Sequence, residues 1–389
     1  MTVPLHAAHL RLVDAAPLVV ARELGLAEAE GIALTLEAAP SWSALRDRLN
    51  TGRAQVAQML SPMPVAMALG IGGAAGDVEA LQVLSVNGNA IGVSEALARR
   101  MGPVRFGDAA GTGAALIAAA AAAAAPVRIG VPFPFSMHVE LLHFWLERCG
   151  PPAPGSIEIR TVPPPSMADA LAADEVDAFC VGEPWGSAAV ERGVGRIVLP
   201  GRAIWAFAPE KVLAARAGWA EAEPAAAGGL LRALHRAARW LADPGHLSLA
   251  SEMLARPDAI AAPPDLIERA LTGRLMIAPG EAREASGFLE FHAGAAAFPW
   301  RSQGAWIADR LARRHGMDPT AAQAAGRRVF RSDLYRQHLD ALAEDLPGAS
   351  QKLEGTMSRP TPVASRRGRL VLRPDAFFDG TIFEPLPHD

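Results

Sequence analysis

Short apolar runs alternate with helical patterns twice along this chain, and a Gly/Ala-rich segment at 107–125 separates the two rounds. In the first round, residues 9–13, 32–37, 54–59 and 81–86 read as strands, with helices over 16–26, 41–49 and 64–69. In the second, 127–131, 157–162, 176–181 and 196–199 read as strands, with helices over 136–148, 167–173 and 184–192. Alternation at this rhythm predicts α/β architecture, parallel sheets covered by helices. Two rounds predict two lobes. The expected division is 1–105 for the first part of lobe 1 and 106–204 for lobe 2. Residues 205–389 are expected to return to lobe 1, run almost purely helical, and end in a wrap along the surface.

Composition narrows the function. Over 389 residues, 37 basic side chains face 41 acidic ones, the net charge is −4, and half the residues are apolar. That balance excludes a disordered chain and a basic nucleic-acid surface. Only Lys211 and Lys352 are lysines; every other basic residue is arginine. Cys149 and Cys180 are too few for a disulfide framework, and two free thiols or one bridge both fit. The histidines form no metal-spaced pair, so no metal is expected. The first ten residues carry no Lys or Arg, and the apolar stretch at 15–21 follows Asp14, contains Pro17 and runs into Arg22. This predicts no secretory leader, no membrane span and a cytoplasmic protein.

In open α/β sheets, ligands bind beyond the carboxyl ends of the strands. The residues expected there are Ser41-Trp42, Ser61-Pro62, Asn87-Gly88-Asn89, the loop entering His138, Pro163-Pro164-Pro165 and Gly182-Glu183-Pro184-Trp185. Lys211 is expected just after a crossover strand at 205–207. These loops offer N–H donors, an imidazole and one amine. The sequence shows no Ser/His/Asp arrangement, no carboxylate pair and no phosphate loop. The set predicts capture of a small anion, with no catalytic residue and no cofactor.

Several runs together resemble the nitrate- and bicarbonate-binding proteins of bacterial ABC importers. They are Asp14-Ala15-Ala16-Pro17-Leu18, Ser41-Trp42 with Arg46-Asp47, Met59-Leu60-Ser61-Pro62-Met63-Pro64, Asn87-Gly88-Asn89, Phe179-Cys180-Val181-Gly182-Glu183-Pro184-Trp185 and Phe377-Phe378-Asp379-Gly380. The resemblance implies the two-lobed periplasmic-binding-protein type II fold with its ligand in the interlobe cleft. It also implies an anion pocket of Trp42, Asn89, His138, Pro164 and Lys211.

Physical roles stand beside that analogy. Lys211 supplies compensating charge, Trp42 Nε1–H is a donor that cannot accept, His138 donates, and Gly88 lets backbone N–H groups approach. Lys211→Ala is then expected to abolish binding and leave the fold intact. Bland readings remain beside these: Trp42 as core, His138 as a helix cap, Lys211 as solvated surface. Pro62, Glu183 and Trp185 read equally as cleft contacts or hinge.

Without a leader, the nearest subgroup is the cytoplasmic nitrate/nitrite sensor of the NasS type. The resemblance then implies a partner, an ANTAR-type RNA-binding antiterminator (NasT-like), released on anion binding to switch on nitrate assimilation. The alternative is the solute-binding subunit of a nitrate/nitrite or bicarbonate ABC importer. Enzymes that share this fold need a cysteine-rich or carboxylate-bearing site, which the sequence pattern does not offer.

Overall fold

The computed structural model describes residues 2–73 and 76–386. The strands of its lobes, in chain order, are β1 (Val3–His9), β2 (Ile32–Ala38), β3 (Val56–Leu60), β4 (Val78–Asn87) and β5 (Asn89–Ser94). They continue as β6 (Val127–Val131), β7 (Ile157–Thr161), β8 (Ala178–Gly182), β9 (Gly195–Pro200), β10 (Pro209–Arg216), β11 (Arg274–Ala278), β12 (Glu281–Glu284) and β13 (Leu289–Glu290). One sheet has the order β13-β4-β10-β3-β1-β2 and the other β7-β6-β8-β5-β9, while β11 and β12 form a separate hairpin.

β1 is parallel to β2 and β3, and β6 to β7 and β8, as the alternation predicts. β5 and β10 run antiparallel to both of their neighbours. They are the strands at which the chain changes lobe. β4 passes into β5 through Gly88, and β9 returns to β10 through residues 201–208. Lobe 2 therefore opens at Asn89 rather than at 106. Asn87 and Gly88 take φ of 61° and 91°, left-handed conformations that Asn and Gly accept most readily, and this turn carries the chain between sheets.

Three expectations need correction. β10 was read as the start of a helical half. Every residue from Pro209 to Ala215 is buried in a strand, and the charged pair Glu210-Lys211 interrupts the apolar run by which the equally buried β3 and β8 were recognised. The expected strand at 205–207 is only an isolated bridge, Trp205 to Phe377. The first strand was expected at 9–13, but β1 ends at His9. The chain then turns, with Leu12 N–H donating to Leu10 O at 2.9 Å, into the 3-10 turn Val13–Ala15.

Local chemistry sets the helix ends. Ser41 Oγ accepts from Ala44 N–H at 3.1 Å and starts the helix Trp42–Asn50. Ser136 Oγ accepts from Val139 N–H at 3.3 Å and starts Met137–Cys149, so Ser136 rather than His138 is the cap. The alanine-rich segment forms the helix Ala109–Ala121. Gly25, at φ 66°, divides the helix expected over 16–26 into Ala16–Glu23 and Leu26–Ala29.

The C-terminal wrap is anchored as well as draped. The Phe377 ring stacks on Trp205 at 4.8 Å and lies 5.0 Å from Phe144 of lobe 2. Lys352 is held by Glu354 and Asp375, both buried. Among the described residues no helix is long and apolar enough to cross a membrane.

Candidate functional site

The residues expected to hold an anion gather around Lys211, but its charge is already matched. Lys211 is fully buried, with Nζ 2.6 Å from Asp14 Oδ2 and 2.9 Å from Glu210 Oε1. The same ammonium lies 5.7 Å from the centroid of the Trp42 ring, over its face. Asn89 Nδ2–H donates to Glu210 Oε2 at 2.6 Å, and Gln58 Nε2–H donates to Asp14 Oδ1. His138 Nδ1 is 3.2 Å from Glu210 Oε1, though not aligned for a hydrogen bond.

Each element delivers one piece. Asp14 sits in the 3-10 turn after β1, and Trp42 is the first residue of the helix after β2. Glu210 and Lys211 lie on β10. Lobe 2 contributes Asn89, which opens β5, and His138, in the first turn of the helix after β6. A regular strand would point Glu210 and Lys211 to opposite faces. Here Pro209 pairs with Val86 and Lys211 with Ser85, so Glu210 is an extra, bulged residue. The bulge is what brings both side chains together.

Burial and charge act against each other at this centre. Burial works to lower the Lys211 pKa, but Asp14 and Glu210 outweigh it and hold the ammonium above its ordinary value. Burial pushes Asp14 up more than Lys211 pulls it down. Burial, helped by Lys211, pushes His138 well below its usual range, so the ring is neutral. Trp42 Nε1 and both His138 ring nitrogens have no hydrogen-bond partner among the described residues. They are donors, or potential donors, available to an acceptor-rich ligand.

The other expected residues divide. Pro164 lines, with Trp42 and Phe133, a cavity of about 240 Å³. Gly88 is not a backbone cradle. Its N–H donates to Phe288 O at 2.7 Å and its C=O accepts from Glu183 N–H at 3.2 Å. Glu183 Oε2 accepts from Ser187 N–H at 3.1 Å, and its own C=O accepts from Val13 N–H at 2.9 Å. Trp185 Nε1–H donates to Arg11 O at 2.8 Å. Glu183 and Trp185 therefore tie the exit of β8 to the lobe 1 turn carrying Asp14. Pro62 is buried as the first residue of the helix Pro62–Ala68. Cys149 and Cys180 are both free thiols.

Sequence reasoning missed Asp14, Glu210 and Gln58, and it held that no carboxylate pair was present. Two signals were available. Glu210-Lys211 is a charged pair inside an otherwise apolar run, and Asp14 lies within a run that carried the family resemblance.

The sequence profile of the NMT1-like family matches residues 2–255. The nitrate import ATP-binding protein NrtC of Synechocystis is 33% identical over 331 residues, 83% of this chain and 48% of NrtC. The chain thus spans about half the length of that relative. The nitrate/nitrite binding protein NrtA of Synechococcus elongatus is 29% identical over 388 residues, 97% of this chain and 82% of that one. Among solved structures, the periplasmic nitrate-binding protein NrtA from Synechocystis superposes with a TM-score of 0.85 at 26% identity, covering 99% of this chain and 96% of that one. The fold is the two-lobed periplasmic-binding-protein type II architecture.

Proposed function

Because this chain belongs to the NMT1-like family, we propose that it is a solute-binding protein for a small oxyanion, nitrate or nitrite, serving an ABC importer. The observation that carries the reading is the convergence of Trp42 and Lys211 from lobe 1 with Asn89 and His138 from lobe 2 in one buried centre. Two lobes supply one site, so closing them completes it. A small trigonal or bent anion presents only acceptors, which complements the unpartnered donors on Trp42 and His138.

The regulatory role and the antiterminator partner expected from the sequence have no support in these relatives, whose names are those of import and binding proteins. The importer reading takes their place, and cell fractionation decides between it and the cytoplasmic location expected from the sequence. The test is calorimetric titration with nitrate, nitrite, bicarbonate and sulfate, followed by cell fractionation and a pull-down. The expected result is saturable binding of nitrate or nitrite, none of sulfate, and capture of an importer complex. An antiterminator that co-purifies with the unloaded protein and leaves on addition of nitrate would restore the regulator.

A further inference from the structure

Asp14, Glu210 and Lys211 place two carboxylates and one ammonium in a centre closed to solvent. The groups facing it from the packed elements are few. The turn after β1 brings Asp14, β10 brings Glu210 and Lys211, and the helix Met137–Cys149 brings His138. β8 brings Cys180, whose thiol is held neutral by burial and by Glu210. Asn89 and Gln58 add dipoles without charge. Two carboxyl groups thus face the one ammonium of Lys211 before any ligand arrives. A monoanion adds a further acidic group to the same space, and uncompensated charge in a closed, low-dielectric site is strongly disfavoured.

We propose that the anion binds together with one proton, carried on the His138 ring beside Glu210. This rests on the reading of the site as an oxyanion clamp. The geometry suits it: Nδ1 of His138 is already 3.2 Å from Glu210 Oε1, and both ring nitrogens lack partners among the described residues. A protonated ring donates Nδ1–H to Glu210 and keeps Nε2–H for the anion, so that the imidazolium sits between two negative groups. The incoming anion is itself what draws the proton on. Among the described residues no group of three or more His, Cys, Asp and Glu is arranged to hold a metal ion.

The experiment is calorimetry of the full chain with sodium and potassium nitrate and nitrite, in buffers of differing ionisation enthalpy. It is repeated from about pH 6 to about pH 9, with the proton count read by linkage. The expected result is uptake of about one proton per anion and an affinity that falls about tenfold per pH unit over the upper part of the range. A Kd independent of pH, zero proton uptake, or an affinity that follows the metal cation supplied would each overturn the proposal. Failure of both anions to bind at any pH would remove the oxyanion reading itself, and this inference with it. Glu210→Gln leaves Asp14 and Lys211 balanced, so its proton uptake should fall towards zero. Full uptake in that variant would exclude Glu210 as the group that holds the protonated ring. The wild-type measurements stand alone if the variant does not fold.

Discussion

Glu210 and Lys211 are chain neighbours on one strand, yet Lys211 Nζ donates to Glu210 Oε1 over 2.9 Å, because the bulge at Glu210 turns both into the same space. Lys352, the only other lysine, is likewise clasped by two carboxylates, Glu354 and Asp375. In a chain that uses arginine everywhere else, lysine occurs where a compact point charge must fit between two acids. A planar guanidinium would not substitute there.

That pairing changes the expected effect of Lys211→Ala. The sequence suggested lost binding with an intact fold. The structure shows that the substitution would strand Asp14 and Glu210 in the interior, and removing one partner of a buried pair costs about 3–5 kcal/mol. Urea unfolding should show that loss, and Asp14→Asn combined with Lys211→Met should lose less than Lys211→Ala. Equal stability of Lys211→Ala and wild type would mean that the carboxylates are neutral already.

Trp42→Phe separates ligand from fold. The indole is buried against the core, but its Nε1–H makes no bond within the described residues. Phenylalanine keeps most of the apolar contact and the face beneath Lys211, and it deletes the donor. A lost hydrogen bond to a charged group is worth about 1.5–3 kcal/mol, so nitrate affinity should fall about tenfold or more while the melting temperature shifts little. An unchanged Kd would place Trp42 in the core alone.

Most of the fold was legible because short apolar runs alternating with helical patterns report sheets covered by helices. Ile32–Ala38 and the Ser41 cap were readable from spacing and hydroxyl chemistry, since each depends on a few neighbouring residues. β10 was not, because the charged pair Glu210-Lys211 interrupts the apolar run by which the equally buried strands β3 and β8 were recognised. For the site, Trp42, Asn89, His138 and Lys211 were named in advance and do gather. Asp14 and Glu210 escaped because their role depends on a bulge and on a contact almost 200 residues apart in the chain. At Gly88 the open backbone was foreseen, but the partners that take its N–H and C=O, Phe288 and Glu183, are distant in sequence.

Gly88 should resist substitution for two reasons that can be separated. Its φ of 91° lies where side-chain-bearing residues are strained, and a Cβ there would sit 2.7 Å from Leu289 Cδ1. Gly88→Ala is expected to cost about 1–3 kcal/mol in unfolding experiments. Adding Leu289→Ala should return the clash portion and leave the backbone portion, so that rescue in the double variant is partial. Complete rescue would mean that the turn itself carries no strain.

Glu183 gives a pH signature to the contact between the exit of β8 and lobe 1. Burial, only partly opposed by the Ser187 hydrogen bonds, pushes its carboxyl up to about 7 from an ordinary 4.5. Below the unfolded value both states are protonated, and the contribution to stability is fully present. As pH rises towards 7 the unfolded chain releases its proton while the folded chain keeps its own, so stability falls. At about 1.4 kcal/mol per unit, the loss across that window is about 3 kcal/mol. Glutamine can still accept from the Ser187 N–H, which lies 3.1 Å from Oε2, and it has no proton to lose. Glu183→Gln should therefore match the wild type near about pH 4.5 and exceed it above about pH 7, with the gap opening between those values. Urea midpoints for both proteins across that range are the measurement, and taking their difference cancels other groups such as Glu140, which titrates nearby. Parallel curves would show that Glu183 titrates in the folded protein as it does in the unfolded chain, and that its charge at this joint between the lobes is solvated or paired in another way.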